Sequence, residues 1–247
     1  MLEAATLDCM IHNGRRKLPY DPEVVLAHLS TADAKLGALI EKVGGVEGFT
    51  LKLGHTGTPF ASLLESIVYQ QLHGKAAATI HNRVKLLYGG DDPAPQAILD
   101  TPDELLRGAG LSGNKLKAIR DLAARTLDGT VPTHKAIQKM SDTEIIERLT
   151  AVKGVGTWTV EMLLIFRLGR PDVWPATDYG VRKGFALTFL RLPKSRAITA
   201  ADLPKPEAMQ RRAKKWMPYR SIAAWYMWRA CDLAAATKMV LPGTAEE

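Results

Sequence analysis

The plainest chemistry in this sequence belongs to one carboxylate set among aromatic side chains. Asp178 stands in the run Asp-Val-Trp-Pro-Ala-Thr-Asp-Tyr-Gly at residues 172–180, with Tyr179 directly after it. Trp158 precedes this run, and Trp225, Tyr226 and Trp228 follow it in the last apolar stretch. A carboxylate can stabilise a carbon that acquires oxocarbenium character, and can orient or deprotonate a water. An aromatic face holds a planar group and attracts a cationic one by roughly 0.5–2 kcal/mol. Asp172 is the rival acid, but it directly follows Pro171 and reads as a turn or cap residue.

The elements that must position these groups occupy residues 141–185. Ser141 followed by Glu144 is a capping-box signature at a helix start. Ile145, Ile146, Leu149 and Val152 then share a helical face. Gly154-Val155-Gly156 interrupts the helix, and a second apolar helix comes next, with Val160, Leu163, Leu164 and Phe166 as its buried residues. A hairpin whose turn lacks side-chain bulk lets backbone N–H groups approach a phosphate closely. Charge supports a polyanionic partner. Between Arg182 and Arg220 stand eleven Lys and Arg against Asp202 and Glu207, a local +9 in a chain of net +7. The remainder is therefore about −2, and a concentrated basic stretch of this kind is the footprint of a nucleic-acid binder.

The helix-hairpin-helix, the Pro-bearing loop and Asp178 together resemble the corresponding motif of the helix-hairpin-helix DNA glycosylase superfamily. The segment Met-Gln-Arg-Arg-Ala-Lys-Lys-Trp-Met-Pro-Tyr-Arg-Ser resembles the W-x-P-x-R-S segment of the 3-methyladenine glycosylase II branch. The resemblance spans roughly residues 22–235. It implies an all-α fold, two-lobed, of about ten helices, with a cleft between the lobes. It also implies excision of alkylated purines of the 3-methyladenine and 7-methylguanine type from double-stranded DNA. The base is flipped out of the stack, and Asp178 assists hydrolysis of its bond to the sugar. Trp158, Trp228, Tyr179 and Phe60 are the implied base pocket. Lys153, Gly154, Val155, Gly156, Thr157, Arg211, Arg212, Lys214 and Lys215 are the implied DNA contacts, and Gln71, Leu72 and His73 are the candidates for the wedge that enters the duplex. Strand-cutting members carry a Schiff-base Lys at the position held here by Trp158, and Lys153, ahead of the glycines, is not that residue. Only Cys9 and Cys231 occur, so the four-Cys iron–sulfur loop of some relatives cannot be built. No metal or organic cofactor is expected, apart from the option of a monovalent cation at the hairpin's backbone carbonyls.

Along the chain, residues 1–57 read as an N-terminal segment whose helices pack on the C-terminal lobe, 58–170 as the central lobe with the hairpin, and 171–247 as the Asp loop and C-terminal lobe. Residues 1–20 look like a loosely ordered lead-in, and residues 1–50 are too short for the extra N-terminal α/β domain of some bacterial relatives. Asp21-Pro22-Glu23 opens a helix that is renewed after Ser30-Thr31 and ends at Gly44-Gly45. Residues 46–58 form a loop with at most a short extended piece. Thr58-Pro59 opens a helix whose apolar face holds Phe60, Leu63, Leu64, Ile67, Val68 and Leu72. The junction Tyr69–Lys75 delivers the wedge candidates. Thr101–Glu104 reads as a second capping box, and Gly108–Lys115 as a Gly-spaced turn into a helix, with a further backbone contact to DNA implied by the resemblance. The segment 219–236 is apolar nearly all round and therefore buried, with Trp225 a candidate core residue. The tail after Val240 is expected to be mobile.

No stretch is long and apolar enough to span a membrane, and acids early in the N-terminus argue against a secretory signal. Two cysteines fit a reducing compartment. The cytosol or nucleoid of a bacterium, or a nucleus, is the expected location, and a monomer the expected state. Two readings compete: a damage-binding module without catalysis, and a glycosylase for oxidised or mismatched bases.

Overall fold

A computed structural model describes residues 17–54, 57–190, 192 and 198–239. These form thirteen α-helical segments with short π and 3-10 turns, in two compact units. In chain order, α1 (Pro22–Ala32) and α2 (Ala34–Val43) come first. Then come α3 (Pro59–Tyr69), α4 (Gly74–Leu86), α5 (Pro95–Asp100), α6 (Asp103–Gly108), α7 (Gly113–Leu127) and α8 (His134–Ile137). The hairpin is α9 (Asp142–Thr150) and α10 (Thr157–Leu163), continued by a π turn over Leu164–Leu168. The last three are α11 (Tyr179–Phe189), α12 (Pro206–Ala213) and α13 (Arg220–Met239). One unit is residues 52–169, which hold α3 to α10. The other joins residues 18–51 to the chain from Arg170 onward. The lead-in at 1–16, Cys9 within it, and the tail after Val240 lie outside the described residues.

In the unit of residues 52–169, α3 starts where the Thr58 hydroxyl accepts the Ala61 N–H at 3.1 Å. Leu63, Leu64 and Ile67 of α3, Ile119 and Leu122 of α7, and Val160, Leu163 and Leu164 of the hairpin supply a core with almost no solvent exposure. A Glu65–Arg167 ion pair ties α3 to the π turn. The box expected at Thr101–Glu104 does not form. Pro102 is the N-cap, and the Thr101 hydroxyl turns back to donate to the Ala97 carbonyl at 2.7 Å. Arg120 explains why: its guanidinium gathers the carbonyls of Ile98, Leu99 and Thr101 and the Asp103 carboxylate. It thereby satisfies carbonyls at the end of α5 and pairs with the first acid of α6.

In the second unit, the break between α1 and α2 is at Asp33, two residues beyond Ser30-Thr31. Asp33 leaves helical geometry at φ −152° because its carboxylate caps the next helix and meets Arg212. The helices α11, α12 and α13 complete this unit. Every residue from Ser221 to Trp228 is buried, as an all-round apolar helix requires. Trp225 packs edge-on to Phe49 with ring centroids 5.1 Å apart, in the core. Among the described residues no helix is long and apolar enough to cross a membrane.

Candidate active site

The loop that carries Asp178 is clamped before it reaches that residue. Gly169, at φ +71°, turns the chain out of the π turn in a conformation that L side chains rarely adopt. The Ser221 hydroxyl donates to the Arg170 carbonyl at 2.6 Å and accepts the Val173 N–H at 2.9 Å. Asp172 grips Arg220 through Nε at 2.7 Å and Nη2 at 2.9 Å. The rival acid is thus part of the scaffold that fixes the loop. Trp174 then packs on Trp216, with centroids 5.2 Å apart, and Asp178 N–H donates to the Pro175 carbonyl at 3.0 Å.

Asp178 is the N-cap of α11. Its Oδ1 accepts the Val181 N–H at 2.7 Å and the Trp228 indole N–H at 2.9 Å. Two donors on one oxygen fix the rotation of the carboxylate, and the positive end of a helix favours its charge. Asp178 is 9% exposed, Trp228 6% and Tyr179 43%. The structure therefore joins Asp178 to Trp228 and leaves Tyr179 on the surface.

The contact of α11 with α13 depends on two glycines that sequence reasoning passed over. Gly184 lies so close to α13 that a Cβ there would stand 1.8 Å from the Met227 carbonyl oxygen. Gly180 faces Trp228, and its carbonyl accepts the Cys231 thiol at 3.4 Å. Burial pushes that thiol up to about 11. The available signal was the spacing Gly-Val-Arg-Lys-Gly, which allows close helix approach on one face.

In the hairpin, the Ser141–Glu144 box forms in both directions. Gly154 has φ +78° and sits against Ala118 of α7, while the Lys153 N–H donates to Asp121 at 2.7 Å. Gly156 begins α10 without a side chain to cap it. Lys153, Gly154, Gly156 and Thr157 are exposed, Trp158 is half-buried, and Val155 is buried in the turn. Phe60, expected in a base pocket, is 3% exposed on the core face of α3. An aromatic ring on the helix face that carries the apolar period is held by the unit's own packing.

The wedge candidates lie between α3 and α4. Gln71 adopts φ +58° and is exposed, Leu72 is half-buried, and His73 is the exposed N-cap of α4. The neighbouring amide, Gln70, had no assigned role in the sequence. It donates to the Gly154 carbonyl at 3.0 Å and so ties this junction to the hairpin turn. Lys115 donates to the Val68 carbonyl at 2.6 Å, and burial lowers its ammonium pKa below the ordinary value.

Of the basic residues expected to contact DNA, Arg211, Lys214 and Lys215 are exposed, but Arg212 is already engaged. Its Nε and Nη2 hold Asp33 at 2.6 and 2.7 Å, and its guanidinium lies 4.0 Å over the Phe189 ring. Trp216 donates to the same carboxylate at 3.3 Å. Burial alone would raise the Asp33 carboxyl, yet the Arg212 hydrogen bonds and charge hold it below its usual value. Arg191, Lys194 and Arg196 lie outside the described residues.

These features coincide with a known family. The chain belongs to the HhH-GPD superfamily of base excision DNA repair proteins, whose family model matches residues 64–218. It is 38% identical over 216 residues to DNA-3-methyladenine glycosylase 1 of Schizosaccharomyces pombe, covering 87% of this chain and 90% of that one. The solved structure of the S. pombe 3-methyladenine DNA glycosylase Mag1 in complex with abasic DNA superposes with a TM-score of 0.71 at 36% identity, over 85% of this chain and 98% of that one. A DNA-3-methyladenine glycosidase from Bacillus halodurans gives 0.74 at 32% identity, over 90% and 95%.

Proposed function

We propose that the chain is a monofunctional DNA N-glycosylase that removes alkylated purines of the 3-methyladenine and 7-methylguanine type from duplex DNA, acting as a monomer. The observation that carries the reading is the Asp178 carboxylate, fixed by Val181 and Trp228. As the bond between sugar and base lengthens, positive charge develops on the sugar, and a preorganised carboxylate stabilises it without having to reorganise. The same carboxylate orients the attacking water. Trp228 offers the flipped base an aromatic face. An N-alkylated purine is cationic, so it is attracted to such a face and leaves readily. The exposed hairpin amides and Arg211, Lys214 and Lys215 hold phosphates, while Leu72 or its neighbours Gln71 and His73 fill the gap that the base leaves. A monovalent cation at the hairpin carbonyls belongs to this proposal, and no other cofactor does.

The S. pombe and B. halodurans relatives, both named for 3-methyladenine, support the substrate class. Trp158, at the position of the Schiff-base Lys, supports hydrolysis without strand cleavage, since an indole cannot attack the sugar carbon.

A panel of duplexes bearing 3-methyladenine, 7-methylguanine, hypoxanthine or 8-oxoguanine, scored for free base, tests the reading. Release from the alkylated duplexes, with abasic strands intact until hot alkali, is expected. Preference for 8-oxoguanine, or a borohydride-trapped protein–DNA adduct, would overturn it.

A further inference from the structure

We propose that Gly180 is a positioning residue of this site: its missing side chain is what lets the Trp228 indole reach the Asp178 carboxylate. The proposal rests on the reading of Asp178 as the acting acid. Gly180 lies within the first turn of α11, where φ is not positive, so its backbone does not require glycine. Alanine would be the better helix former there. What glycine provides is space. A Cβ at residue 180 would stand 2.6 Å from Trp228 Cδ1, 2.9 Å from Trp228 Nε1 and 3.2 Å from Asp178 Oδ1. The two atoms of the hydrogen bond that fixes the carboxylate are thus two of the three atoms a methyl group would meet.

Gly184 shows the contrast. It lies one turn further along the same face, and its Cβ would overlap the Met227 carbonyl group, oxygen and carbon, at 1.8 and 2.4 Å. That clash is with main chain and concerns how closely α11 and α13 can pack. The clash at Gly180 is with an indole edge and concerns where the indole sits. Trp228 is buried at the end of the stretch 221–228, so its ring cannot yield without turning away from Asp178. One glycine sets the distance between the helices, and the other sets the geometry of the site.

The test uses the full chain with Gly180→Ala, Trp228→Phe and Asp178→Asn, and with the pairs Gly180→Ala/Trp228→Phe and Gly180→Ala/Asp178→Asn. The Trp228 indole N–H resonance is assigned by its loss in Trp228→Phe. It is expected to shift in Asp178→Asn and in Gly180→Ala, and to stop responding to Asp178→Asn once Gly180→Ala is in place. Single-turnover release of 3-methyladenine is expected to fall between about ten- and a hundredfold in Gly180→Ala, as for a reacting group displaced by about an ångström, with duplex binding unchanged. In the Trp228→Phe background the same substitution should cost less than about twofold, because the smaller ring leaves room. An unmoved indole resonance, or an equal rate loss with and without the indole, overturns the proposal. If Gly180→Ala does not fold, Gly180→Ala/Trp228→Phe must restore folding, and failure to restore it also overturns the proposal. If the wild type releases no base yet the indole shifts as stated, the positioning role stands and the reading of function falls.

Discussion

The two helix starts, at Gly156 and at Asp178, solve the same electrostatic problem in opposite ways. Each presents backbone N–H groups and the positive end of a helix. At Gly156 there is no side chain, and the turn is exposed. At Asp178 a carboxylate takes the Val181 N–H and is itself held by Trp228. The first start carries no acceptor of its own, and in the proposed function a DNA phosphate supplies the charge. The second brings its own, and uses the helix to orient it. A helix N-terminus can thus serve either as a receptor for an anion or as a mount for one, and one residue decides which.

The largest effect is expected from Asp178→Asn. Asn remains a good N-cap, so the fold should hold while the charge is removed. Single-turnover base release should drop by about 10²–10³-fold, the usual loss for one preorganised stabilising group, with duplex affinity retained. Asp172→Asn should lower stability through Arg220 and leave the rate of the folded protein near wild type. If Asp172→Asn is the inactive variant, the assignment of the two acids is reversed.

Next in size is the contrast among the basic residues. Arg212→Ala strands the buried Asp33 carboxylate and should cost about 1–3 kcal/mol in urea unfolding. Arg211→Ala, Lys214→Ala and Lys215→Ala should leave stability alone and instead flatten the salt dependence of duplex binding, by about 0.9 in log–log slope for each phosphate that is no longer neutralised. An unchanged slope would make these three a solvated face.

Converting one helix start into the other is the sharpest test of the comparison. Gly156→Asp places an acid in extended backbone with open space around its Cβ. It should stabilise α10 by about a few tenths of a kcal/mol as an N-cap yet weaken duplex binding roughly tenfold, or about 1.4 kcal/mol, by repelling phosphate. Undiminished binding would remove the hairpin start from the DNA-contacting surface.

The smallest effect concerns pH. Burial lowers the His81 pKa below the usual value for imidazole, and its Nε2 has no hydrogen-bond partner among the described residues. The native chain therefore stays neutral where the unfolded chain takes up a proton, so this group costs stability as pH falls below about 6.5. Glu65, raised by burial despite Arg167, acts in the opposite sense nearer its own range. Between pH 7 and 6, wild type should lose up to about 0.7 kcal/mol that His81→Gln does not lose, measured by urea midpoints at each pH. Parallel curves would mean that His81 titrates as it does in the unfolded chain.

Features carried by local pattern were legible in the sequence. The Ser141–Glu144 box, the glycine turn, and the burial of 221–228 are all written in spacing and composition. Features that depend on distant partners were not. Arg212 reads as one more surface base until Asp33 is found 179 residues away. Thr101 reads as a cap until its hydroxyl is found on the Ala97 carbonyl and its own carbonyl on Arg120. Gln70 and Gln71 are identical as letters, and only the fold gives one to the Gly154 carbonyl and the other to the surface. Asp178 could be found because a Pro-bearing loop and a helix start mark it; its bond to Trp228 has no local trace.

The division of the chain also has a consequence during synthesis. Residues 52–169 are contiguous and can complete their unit as soon as they emerge. The helix pair before them cannot, because its partners are α11 to α13. At about 5–20 residues per second, Asp33 waits roughly ten to thirty-five seconds for Arg212 to be made. Throughout that interval Val25, Leu29, Leu36 and Ile40, which are buried in the finished protein, have only the other helix of the pair to pack against. Among the described residues, the pair α1 and α2 is therefore the part whose apolar face stays incompletely covered while the ribosome is still at work.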